Sequence, residues 1–149
     1  MATNAVTYWA FIGTIYLIIL SYQDIKNNRW VDDRKNYFMM GISFALITHF
    51  KHNFWYLLSI IGVIIIFNVV MTKYSVMGKA DISTLTWVLY GFSIINYWAL
   101  LAWVLILIVL TLLYVGAKKK FFNKAGNEVP YYPVLLSAFV LTCYLWHFY

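Results

Sequence analysis

The sequence predicts an all-α, polytopic integral membrane protein with six transmembrane helices and both termini on the non-cytoplasmic side. Three observations predict it. Of the 149 residues, 64% are hydrophobic and 11% charged, against about 25% charged in soluble domains. So much apolar side chain cannot be hidden inside a water-soluble body of this length. The apolar residues fall in long uncharged runs separated by short loops, and the basic residues gather on alternate loops. A single membrane-embedded domain over residues 1–149 follows, because no polar block is long enough to fold by itself.

The first span covers about Ala5 to Ser21. It has no basic n-region and no small-x-small cleavage site, so it reads as a retained helix. A solvated loop follows from Asp24 to Asn36. The next apolar run, Tyr37 to Phe50, is shorter than the ~17–25 residues of a full crossing. His49, Lys51, His52 and Asn53 make a polar turn, Phe54 to Met71 is the third span, and Thr72 to Lys79 a short loop. From Ile82 to Ala117 there is no charge; as one helix this would be about 54 Å, against a hydrocarbon core of about 30 Å. Gly91, Ser93 and Asn96 supply a turn, dividing it into spans over Asp81 to Ile95 and Trp98 to Ala117. Lys118 to Lys120 stop the transfer and hold anionic headgroups, Gly126-Asn127 turns, and Pro130 and Pro133 open a last span running to Tyr149.

Charge sets the orientation. Lys26, Arg29, Arg34 and Lys35 follow the first span, Lys73 and Lys79 the third, Lys118 to Lys120 and Lys124 the fifth, leaving Lys51 on the opposite side. By the positive-inside rule those three loops are cytoplasmic. The net charge of +6 therefore belongs to membrane orientation, and no nucleic-acid partner is expected. The single cysteine, Cys143, excludes an internal disulfide and a cysteine zinc site.

The chain holds five acids: Asp24, Asp32, Asp33, Asp81 and Glu128. Asp24 closes the first apolar run and Asp81 opens the fourth, so both lie at the cytoplasmic boundary. An acid at a helix centre in hydrocarbon costs roughly 2.5–3.5 kcal/mol, which makes an intramembrane carboxylate a functional candidate. Two carboxylates held together share one proton. One then acts as the base that activates water and the other as the acid that polarises a scissile carbonyl and protonates the amine. No metal, cofactor or nucleophilic side chain is required. The competing reading pairs each Asp with a neighbouring Lys at the interface.

Gly78-Lys79-Ala80-Asp81 resembles the GxGD-type signature of intramembrane aspartyl peptidases, and Ser21 to Asp32, with its Asp ending span one and its basic loop, resembles the other half of that signature in the type IV prepilin peptidase and archaeal preflagellin peptidase family. Val129-Pro130-Tyr131-Tyr132-Pro133 resembles that family's proline-rich start to the last span. The three matches stand in the family's order and cover nearly the whole chain. The resemblance implies that Asp24 and Asp81 are catalytic, with Gly78, Lys79 and Ala80 beside them. Lys79 departs from the small residue usual at its position, and the cysteine-rich insertion of the bifunctional members is missing, so the resemblance implies peptidase activity without N-methyl transfer. The implied substrate is a prepilin-like or preflagellin-like precursor whose short basic leader is removed at the cytoplasmic face of the cell membrane.

Other residues have plainer readings. Asp32 and Asp33 sit among Arg29, Arg34 and Lys35, as solvated ion pairs or, in the sharper reading, as a reception for the basic leader, and Glu128 could serve similarly. His49 and His52 fall on the face opposite the acids and His147 at the interface. Tyr8, Trp9, Trp55, Tyr56, Trp98 and Tyr149 read as interfacial anchors. Two other functions compete: a small proton-coupled transporter, whose two sets of three spans would have opposite orientation, and an inactive member of the peptidase family acting in assembly.

Overall fold

The structure, a computed structural model, describes residues 2–26, 34, 36–46, 50, 53–73, 79–121 and 131–146, without the side chains of 2, 3, 71, 72, 79 and 118–121. These residues form six α-helices and no strand: α1 (Ala2–Lys26), α2 (Asn36–Ala45), α3 (Phe54–Lys73), α4 (Lys79–Ile95), α5 (Tyr97–Phe121) and α6 (Tyr132–Leu145). Two stretches, Asn4–Lys26 and Tyr97–Ala117, are long and apolar enough to cross a membrane by length and composition. Phe54–Val70, Ala80–Ile95 and Tyr132–Leu145 are shorter apolar helices.

The helices correct several sequence boundaries. α1 continues past Ser21 to Lys26, so Asp24 lies within the helix rather than beyond it. Helical hydrogen bonding does not end where polarity begins, and Gln23 and Lys26 are good helix formers. α2 begins at Asn36 and stops at Ala45, well short of Phe50; its ten residues rise only about 15 Å. Gly91 and Ser93 lie inside α4, and the break before α5 is Asn96 alone. Asn96 completes the last turn of α4 by donating its N–H to the Phe92 carbonyl at 2.8 Å, and its own carbonyl accepts from Leu100 at 3.1 Å. Its Oδ1 takes the N–H of Trp98 at 2.9 Å, an N-cap that starts a new helix. Asn53 caps α3 in the same way through the N–H of Trp55 at 3.0 Å.

α4 is the hub. It packs against α2, α3 and α5, while α6 packs between α1 and α5. Nearly every side chain from Ile82 to Ile94 is buried, with Thr86 and Leu89 half-buried. Its hydroxyls fold back on their own helix: Ser83 and Thr84 donate to the Ala80 carbonyl, Thr86 to Ile82 and Ser93 to Tyr90. The outward surface is the reverse. Ile15, Ile18 and Ile19 on α1, Val63, Ile65, Ile66 and Val69 on α3, and Leu105, Ile108, Val109 and Leu112 on α5 are all exposed. A water-soluble monomer rarely presents so continuous an apolar face.

Aromatic rings fill the second half of the α4 core. Trp9 meets Phe92 at 5.2 Å between centroids, Phe139 at 5.2 Å and Trp87 at 6.1 Å. Trp9 is 1% exposed and its indole N–H donates to Ser43 Oγ on α2 at 2.9 Å, so it is a core residue and not the anchor expected of a Trp near the end of an apolar run. Gly91 makes the room: a Cβ there would lie 2.1 Å from Trp9 Cζ2. Tyr8, Trp55 and Trp98 are exposed, whereas Tyr56 is half-buried and donates to the Ser93 carbonyl at 2.7 Å. Cys143 is buried in the core.

Candidate functional site

Hydrogen bonds join the C-terminal end of α1 and the N-terminal ends of α2, α4 and α6, with Asp24 and Asp81 at those ends. Asp24 is 4% exposed. Its Oδ2 accepts the backbone N–H of Tyr132, the first residue of α6, at 3.2 Å. The unbonded amides at a helix start favour negative charge, and Pro133 in the first turn has no N–H to leave unpaired. Asp81, in the first turn of α4, is half-buried. It lies within electrostatic range of the Tyr131 and Tyr132 side chains. The two acids, distant in sequence, thus lie at the end of the bundle where α6 begins, Asp24 bonded to its first residue.

A buried polar network lies behind that turn. Asn36, 0% exposed, donates from Nδ2 to the Ala80 carbonyl at 3.1 Å and to Ser83 Oγ at 2.9 Å. Thr84 donates to Asn36 Oδ1 at 3.0 Å, and its Oγ1 lies 3.0 Å from the Tyr132 hydroxyl. Tyr131 is half-buried, with its side chain beside Thr111 on α5. One turn before Asp24 on α1, the buried Ser21 Oγ has no hydrogen-bond partner among the described residues. Farther along α4, Asn68 on α3 donates to Thr86 Oγ1 at 2.9 Å and to the Ile64 carbonyl at 2.9 Å.

Of the residues singled out from sequence, Asp24, Ala80 and Asp81 fall in this cluster, Ala80 through its carbonyl. The backbone of Lys79 begins α4, and its side chain lies outside the described residues. Gly78, Asp32, Asp33, Glu128, His49, His52, His147 and Tyr149 also lie outside them. Asn36, Ser83, Thr84 and Tyr132 were not singled out by sequence reasoning as site residues. The one signal for Tyr132 is its place between two prolines. For Asn36 it is an amide at the junction of a charged loop and an apolar run. Lys26, Arg34 and Lys73 are exposed at the same end, Lys26 with its ammonium 5.6 Å from the centroid of the Tyr22 ring.

Compared with known proteins, the sequence matches no family model, no curated protein and no solved structure.

Proposed function

We propose that the chain is a six-span membrane aspartic endopeptidase that removes a short basic leader from prepilin-like or preflagellin-like precursors at the cytoplasmic face, with Asp24 and Asp81 as its catalytic pair and without methyl transfer. The observation that carries this reading is that a nearly fully buried Asp24 accepts the backbone amide that starts α6, while a half-buried Asp81 opens α4, which is tied to the same Tyr132 through Thr84. The exposed branched apolar residues on α1, α3 and α5, with buried hydroxyls and amides bonded inside the bundle, support a bilayer setting. The basic residues at the acid end support a cytoplasmic placement of that end.

In this mechanism one carboxylate, ionised, removes a proton from water as that water attacks the scissile carbonyl. The other, protonated, hydrogen-bonds the carbonyl oxygen and then supplies the proton that leaves with the amine. Tyr132 holds Asp24 by its backbone amide, which every substitution except proline retains. The test is co-expression with a precursor carrying a Lys/Arg leader ahead of an apolar helix. Asp24→Asn and Asp81→Asn should each accumulate in the membrane as folded protein and leave the precursor uncut. Cleavage at the wild-type rate by either variant would overturn the assignment.

A further inference from the structure

We propose that Asn36 is a positioning residue of this peptidase, setting the separation of the two carboxylates through one hydrogen-bond chain from the Asp81 end of α4 to the Asp24 contact on α6. The inference rests on the peptidase reading and adds Asn36 and Thr84, to which neither composition nor motif points.

The direction of each bond follows from donor chemistry. The Ala80 carbonyl can only accept, so the nitrogen of the Asn36 amide must face it; the same nitrogen reaches Ser83 Oγ. That orientation leaves Oδ1 facing Thr84, which must donate. With its only proton committed to Asn36 Oδ1 or shared with the Ala80 carbonyl, Thr84 accepts from the Tyr132 hydroxyl across 3.0 Å. The backbone N–H of Tyr132 then donates to Asp24. Hydrogen bonds therefore run from the carbonyl of the residue immediately before Asp81 through Asn36 and Thr84 to the Tyr132 hydroxyl, and the covalent frame of Tyr132 carries that constraint to the backbone amide that holds Asp24. Its members Asn36 and Thr84 are fully buried and Tyr132 nearly so, and a buried network acts on geometry only when every member is satisfied.

Such a chain constrains where the two acids stand without touching substrate. Proton sharing between carboxylates depends steeply on their separation, because their Coulomb repulsion rises as they approach in a low-dielectric site. Loosening the chain should bring the two limbs of the bell-shaped kcat–pH profile closer together, since a more distant pair titrates more nearly as two independent acids.

The experiment uses purified full-length protein in bicelles and a synthetic precursor peptide with a Lys/Arg leader followed by an apolar helix. Thr84→Val keeps shape and breaks both side-chain links. Tyr132→Phe removes only the hydroxyl and leaves the amide on Asp24. Asn36→Leu removes the hub. We expect Thr84→Val and Asn36→Leu to lower kcat at least tenfold with KM within twofold, Tyr132→Phe to lower it several-fold, and the pH limbs to converge in all three. A residue that only holds the fold would lower the melting temperature and leave kcat per folded molecule and the limbs in place. If Thr84→Val and Tyr132→Phe retain wild-type kcat and limbs, the proposal is wrong, even should Asn36→Leu fail to fold. Asp24→Asn and Asp81→Asn run alongside separate the two readings. If they are inactive while the network variants behave as wild type, only the positioning role fails; if they cleave normally, both readings fall.

Discussion

The two halves of α4 are held by different physics. From Ala80 to Thr86 its neighbours are bonded through few, directional atoms: Asn36 on α2, Asn68 on α3 and Tyr132 on α6. From Trp87 to Ile94 it is held by ring area, with Trp9, Trp87, Phe92 and Phe139 in mutual contact. A net hydrogen bond is worth only about 0.5–1.5 kcal/mol, whereas truncating a buried Trp costs about 3–5 kcal/mol. The difference teaches a division of labour: the aromatic half supplies stability and the polar half supplies geometry. The acids stand with the polar half.

Substitutions can break that division, and the largest effect is expected at the acids. Asp24→Asn and Asp81→Asn should abolish precursor cleavage, read by a gel shift of the co-expressed precursor, with little change in melting temperature. Next is Trp9→Ala, expected to cost about 3–5 kcal/mol in a detergent unfolding titration, while the surviving folded molecules retain kcat. Gly91→Ala should cost about 1–3 kcal/mol by the same titration, because its Cβ would press on an indole already boxed in by Phe92 and Phe139. Smaller again is Asn96→Ala, which removes the cap of α5 at about 1 kcal/mol. If Trp9→Ala lowered kcat as strongly as stability, the two halves would not be separable.

Much of this architecture was legible in the residues. The apolar runs located α1, α3 and α5, and the uncharged stretch after Asp81 was too long for one helix and is indeed broken at Asn96. The misreadings have local causes. Trp9 looked like an anchor because its position near the end of an apolar run carries no trace of Ser43, which accepts its N–H from 34 residues away. Gly91 looked like part of a turn, whereas it is a helical residue whose missing side chain admits a ring from another helix. α2 looked longer because Leu46, Ile47 and Phe50 carry apolar side chains past the helix end. Asn36 was invisible as a site residue for the same reason as Ser43: its partners lie on helices that no spacing rule links to it. The acids were conspicuous because carboxylates are scarce here, whereas a buried amide resembles any other loop amide until its partners are known.

The indole seated over Gly91 also works as an indexing pin. If α1 slipped along α4 by a single residue, the helix would rise about 1.5 Å and rotate through about 100°, and the ring would face side chains instead of bare backbone. Asp24 lies about 22 Å farther along the same rigid cylinder. The carboxylate itself is held locally by the Tyr132 amide, so losing the pin loosens the seating of α1 without releasing the acid.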